Sequence, residues 1–206
     1  MIERRADVDH VVDLLSAAAD ALLTNNTGLA VKLVGEADDR QVWSWFYNFV
    51  QTDNIWKHLN LDPKARVIVG VKVATRDTTT ASMKRELFTR DGWHCRFCEV
   101  PVVSPAARKI LTDRAGLRWG SRKQMIHGGM VAVLASHDHV MPRSWGGADS
   151  LDNLVTACWP CQFSRLNGRL ADCGLADPFT HPPVLDGWDG LTRLLSKPSK
   201  FQALGE

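Results

Sequence analysis

Four cysteines fall into two Cys-x-x-Cys pairs, Cys95/Cys98 and Cys158/Cys161. A pair at that spacing bites one metal through a tight turn. Two pairs complete the tetrahedral thiolate shell of a structural Zn2+, with no open position for catalysis. Such a site pins both ends of the chain between the pairs. The pinned stretch contains Ser-His-Asp-His-Val-Met-Pro at 136–142 and the Asn153-Leu154 pair. A carboxylate set among imidazoles there is a candidate metal-dependent centre. Cys173 belongs to neither pair and reads as a bystander.

The elements that must position these residues can be read outward from them. Met130 to Ala135 is a short apolar run and reads as a buried strand that delivers His137, Asp138 and His139 at its end. Pro142 and Gly146-Gly147 shape a loop, Leu151 to Ala157 reads as a second strand, and Trp159 to about Asp172 as a helix. Strand, loop, strand and helix make a ββα unit. Upstream, a helix is predicted from an N-cap at Ser82 to a stop at Asp91-Gly92, and Trp93 to Cys98 forms a zinc knuckle. The insert from Glu99 to about Gly129 is basic, with Arg108, Lys109, Arg114, Arg118, Arg122 and Lys123, and is expected to be helical around 105–115.

The first 80 residues read differently. Val8, Val11, Val12, Leu15, Ala18, Ala19, Leu22 and Leu23 recur at three- and four-residue steps after Asp7, the expected cap of an amphipathic helix that ends before Asn25-Asn26. A second helix is predicted from Asp39 to about Gln51, with Trp43, Phe46, Tyr47 and Val50 on one side. Ile55, Trp56, Leu59 and Leu61 extend the apolar surface to Pro63. Residues 66–74 are valine-rich and read as a strand, and 75–81 as a linker. The tryptophans at 43, 45 and 56 are expected to pack these helices, because no basic residues interleave with them as a stacking platform for single strands requires. The tail from Gly174 carries Pro178, Pro182 and Pro183 and then a short helix around Gly190 to Ser196.

Composition is that of an ordinary folded chain: 206 residues, 45% hydrophobic and 23% charged. The amino terminus carries acids and leads into an amphipathic stretch, so neither a signal peptide nor a membrane span is expected. A cytoplasmic protein is inferred from this, and in that reducing compartment the paired cysteines read as metal ligands rather than disulfides. Net charge is only +2, but it is unevenly distributed. Lys84 to Arg169 holds 13 Lys and Arg against 7 Asp and Glu, whereas residues 1–83 hold 9 against 11. The positive half is the half with the cysteines, which suits a polyphosphate ligand.

From Ser82 to Asp172 the chain resembles the HNH endonucleases, a family of ββα-metal nucleases. The resemblance rests on Arg90-Asp91-Gly92-x-x-Cys95-x-x-Cys98, Asp138-His139-Val140-x-Pro142, Gly146-Gly147, Asp152-Asn153-Leu154 and Cys158-x-x-Cys161. It implies an α+β chain in three parts: a mainly helical region over 1–80, a zinc-stabilised HNH nuclease domain over 81–173, and an extension over 174–206. It implies that His139 is the general base for water attack on a DNA phosphodiester, leaving 5′ phosphate and 3′ hydroxyl ends. Asp138 would hold a catalytic Mg2+ or Mn2+, and Asn153, on the second strand, would orient the base.

Gln162 stands where the family has His or Asn as second ligand to that metal. Its carbonyl oxygen is retained but displaced by one methylene. His137 is the substitute ligand by position, although it reads better as a packing or phosphate-contact residue. Arg143 and Arg165 are expected to contact DNA phosphates, with Asn167 on the same rim. The N-terminal region leaves room for a protein partner or self-association. The competing reading is a non-catalytic zinc module that binds DNA or protein, with Gln162 as the mark of a retired site.

Overall fold

A computed structural model describes residues 5–51, 78–122 and 125–196. The predicted apolar surface around 55–61 and the predicted strand over 66–74 lie outside them. The first helix, α1 (Ala6–Leu23), buries Val8, Val11, Val12, Leu15, Ala18, Ala19 and Leu22 of the stripe its spacing predicts, and leaves Leu23 exposed. Asp7 does not cap it. Arg5 takes the cap position, and its Nε lies 2.9 Å from Asp7 Oδ1 inside the first turn.

Next comes α2 (Thr27–Glu36), capped by Asn26 Oδ1, which accepts from Leu29 N at 3.2 Å. The sequence reading missed this helix because only Ala30 and Val34 are buried, too few to show a period. The third helix, α3 (Arg40–Gln51), begins where Asp39 accepts from the N–H groups of Gln41 and Val42, at 2.6 and 3.1 Å. It faces inward through Val42 and Phe46.

Thr80, not Ser82, caps α4 (Ala81–Arg90): its hydroxyl accepts from Met83 N at 3.1 Å. Helix α5 (Pro105–Ala115) has Ser104 as cap and Pro105 at its first position, and ends at Gly116 with φ of 70°.

The apolar run after it is not a strand. Gly128–Val133 forms a one-and-a-half-turn helix, α6, with every residue buried. Helix and strand cannot be told apart by periodicity when all faces are covered. His127 decides the matter locally: its buried ring caps α6 by accepting from Met130 N at 3.0 Å through Nδ1, and donates from Nε2 to the Val34 carbonyl at 2.8 Å. Burial lowers its pKa, which suits a neutral ring with this fixed tautomer. The Gly128 and Gly129 Cα atoms sit so close to α1 and the α2–α3 turn that added Cβ atoms would lie 2.1 Å from Asp39 O and 2.3 Å from Ala37 O.

The strand is instead β1 (Ala135–His139), the polar sequence that follows. It pairs antiparallel with β2 (Leu154–Cys158), from Ala135 opposite Cys158 to His139 opposite Leu154. Asn153 therefore precedes β2, closing a 3₁₀ turn over Leu151–Asn153, rather than lying on the strand. Helix α7 (Trp159–Arg165) stops far short of Asp172 because Leu166 takes φ of 49° and ψ of −117°. The helix expected near the carboxyl end is a 3₁₀ turn, Thr192–Leu195.

Arg90 and Asp91 fasten α4 to the second strand. Arg90 donates to the carbonyls of Leu151 and Leu154 at 2.8 and 2.7 Å, and Asp91 Oδ2 accepts from Thr156 N at 2.7 Å. A single hydrophobic core runs through the described residues from Val8 to Leu194. Among them no helix is long and apolar enough to cross a membrane.

Candidate functional site

At the Ala135/Cys158 end of the sheet the four cysteine sulfurs lie within 4.8 Å of one another, with Cys98 Sγ and Cys158 Sγ 3.7 Å apart. A tetrahedral Zn2+ with bonds of about 2.3 Å has sulfur edges of about 3.8 Å, so the cluster is consistent with a zinc site. Cys158 ends β2 and Cys161 lies in the first turn of α7, while Cys95 and Cys98 form the knuckle after Gly92. Cys173 is buried apart from them.

At the other end of the sheet a cleft of about 240 Å³ opens, lined among others by Asp138, His139, Arg143, Gln162, Leu166 and Asn167. Asp138 turns inward, as strand alternation requires. Its side chain is 8% exposed and lies on the guanidinium of Arg165, itself 1% exposed. Nη2 of Arg165 is 2.7 Å from Oδ1 and Nε is 3.0 Å from Oδ2. Arg165 also donates to the carbonyls of Val140, Gly168 and His139. Burial pushes the Asp138 carboxyl up, against the pull of Arg165.

The expectation that Arg165 contacts DNA is therefore corrected. All its donors point into the protein, and its charge is spent on Asp138.

Whether this set fits a divalent cation follows from counting acceptor positions. Asp138 Oδ1 already accepts from Arg165 and from His139 N at 2.8 Å, which leaves one position on Oδ2. The Gln162 carbonyl accepts from Ser136 Oγ, and its amide nitrogen donates to His137 O at 3.2 Å, so one carbonyl position is left. Two oxygen donors on one cleft fit a Mg2+-like ion that keeps several waters and is completed by substrate phosphate. His137 places its ring 6.1 Å from that of His139.

His139, with a side chain 13% exposed, donates through Nε2 to Asp149 Oδ1 at 2.7 Å. Asp149 was not anticipated. Arg143 Nε lies 3.2 Å from the same oxygen, and Oδ2 accepts from both the backbone N–H and the hydroxyl of Thr78 at 2.8 Å. The Thr78 N–H first, then His139, Thr78 hydroxyl and Arg143, hold its carboxyl down to about 2. Only the tight loop returning from Pro142 hinted that residue 149 would come back to residue 139.

The Asn153 side chain makes its hydrogen bonds with backbone groups of the loop. Its Oδ1 accepts from Met141 N at 2.8 Å, and its Nδ2 donates to the carbonyls of Met141 and Ala148 at 3.0 and 2.9 Å. It thus cross-links the loop that carries Arg143 and Asp149. The loop is closed so tightly that a Cβ at Gly147 would lie 1.7 Å from Met141 O.

Trp145 is held under Arg169, 4.4 Å from ring centroid to guanidinium carbon, and donates to Asn167 O at 3.1 Å. Trp119 and Trp159 pack edge to face at 5.4 Å against the core.

No curated protein and no solved structure matches the chain. It is over residues 129–162, the segment that runs from Gly129 through β1 and β2 to Gln162, that the chain matches the family model described as HNH endonuclease.

Proposed function

We propose that the protein is a metal-dependent endonuclease that hydrolyses DNA phosphodiester bonds, with His139 as general base. The observation that carries this reading is the convergence of His139, Asp138, Gln162 and Arg143 on one cleft at the open end of the β1/β2 pair. Asp138 and Gln162 would hold a divalent cation through the acceptor positions left on Oδ2 and the amide carbonyl. Such an ion, when bound, stabilises charge on the scissile phosphate and on the leaving oxygen.

The chain's own residues do the rest. The His139 imidazole accepts the proton of an attacking water. The water oxygen bonds to phosphorus as the P–O3′ bond breaks. The 3′ oxygen leaves with the bonding pair and takes a proton from solvent, and the imidazolium later returns its proton to solvent. Arg143, which lines the cleft while paired with Asp149, would contact a non-bridging phosphate oxygen. The division into a helical region, a nuclease domain and an extension belongs to the same proposal, as do DNA as partner and a cytoplasmic location.

The test is incubation of zinc-loaded protein with supercoiled plasmid in Mg2+, Mn2+ or EDTA. Conversion to open-circle or linear DNA should require added metal, and His139→Ala should lower its rate by about 10²- to 10⁴-fold, the usual worth of a positioned base. An unchanged circular dichroism spectrum and zinc content would show the variant folded. Cleavage by His139→Ala at the wild-type rate would remove the assigned base.

A further inference from the structure

His139 is gripped by a carboxylate that is itself over-determined. Asp149 Oδ1 takes His139 Nε2 and Arg143 Nε, and Oδ2 takes the Thr78 N–H and hydroxyl, so all four acceptor positions are filled. Unlike Asp138, it has no position left for a cation. Ionised, it can only accept, so Nε2 is the ring nitrogen that carries hydrogen. Nδ1 of His139 has no hydrogen-bond partner among the described residues and is left to act as base.

We propose that Asp149 is a positioning residue that fixes the Nε2–H tautomer and ring orientation of His139, and that Thr78 holds Asp149 in place. This rests on the reading of His139 as the base. Asp149 compensates the imidazolium formed when Nδ1 takes a proton, and Arg143 offsets the carboxylate's own charge facing the substrate phosphate. Thr78 lies three residues before α4, 71 positions from Asp149, so the entry to α4 bears directly on the base.

The experiment is nitrogen-15 NMR of the full-length zinc-loaded protein with the His139 ring assigned, beside steady-state cleavage. In the wild type, a slowly exchanging, downfield proton should sit on Nε2, with Nδ1 bare. In Asp149→Ala that proton should disappear into solvent exchange. The kcat should fall about 10- to 100-fold, a part of the ~10²- to 10⁴-fold that a base supplies, with KM nearly unchanged. Thr78→Val keeps the backbone donor and removes one hydrogen bond, so it should cost about fivefold in kcat and serves if Asp149→Ala does not fold.

A wild-type proton on Nδ1 would overturn the proposal. So would a protected Nε2 proton that survives Asp149→Ala, or, if that variant does not fold, wild-type kcat in Thr78→Val. Cleavage indifferent to His139→Ala would instead sink the base assignment while leaving the ring-proton signature standing, so the two failures are distinguishable.

Discussion

The two ends of one five-residue strand pair are secured by opposite means. At the Ala135/Cys158 end four thiolates converge, with ligands supplied by two short, local turns. At the His139/Leu154 end two carboxylates do the fastening, each through partners distant in sequence. Asp138 is tied to Arg165 across 27 positions and Asp149 to Thr78 across 71. Those two carboxylates also differ in kind. Asp138 is buried on one cation and pushed up, whereas Asp149 collects four donors and is held down to about 2. A soft metal cluster can be closed to solvent and still do its work. A cleft that admits a ligand needs an open wall, and at this end charge pairing is the fastener.

The sharpest way to break this comparison is to remove the zinc. Chelation, or Cys158→Ser, should abolish the cooperative thermal transition, because a structural zinc site contributes on the order of 10 kcal/mol. A zinc-free protein that melts as sharply as the loaded one would show that the charged end suffices.

A smaller loss is expected at the cleft. Arg165→Ala strands the buried Asp138 carboxylate and should cost about 3–5 kcal/mol in urea unfolding, whereas Arg165→Met with Asp138→Leu should recover most of it. If the double variant is no better than the single one, the cost lies in the carbonyls that Arg165 also serves.

The smallest effect concerns acid. A carboxyl depressed from its usual ~3.9 to about 2 contributes stability that is complete above pH ~4 and is lost only as pH falls from there toward 2. Thiolate ligands must be deprotonated, so zinc should leave first on acidification. Down to the pH at which zinc release, followed with a chromogenic chelator, begins, the carboxyl carbon-13 resonance of Asp149 should not titrate. Movement above pH 5 would mean that its hydrogen bonds are weaker than the distances imply.

What could be read in the sequence follows the same division. The cysteine cluster was legible because each pair is local, and α1 because most of its apolar stripe recurs at helical spacing. The ββα order was legible too, but the apolar run was assigned to the wrong element. Gly128–Val133 is covered on every side, and the strand is the polar ASHDH segment, recognisable only through its pairing with β2. His139 and Asp138 could be named as candidates, but not their partners. Nothing in the spacing of Asp149 or Arg165 says that one faces the His139 ring and the other is sealed inside. Asn153 was expected to hydrogen-bond the surroundings of His139, and the backbone groups it braces, those of Met141 and Ala148, could not be named from the sequence.

The glycines that open α6 carry a further consequence. Their Cα atoms rest directly on the backbone at Ala37 and Asp39, and α6 hands the chain to β1 after a single residue, Leu134. The N-terminal helices are thus a floor under α6, the element that leads into the strand carrying His139. A fragment begun at residue 81 would lift that floor, baring the apolar side of α6 and leaving the strand anchored from one side only.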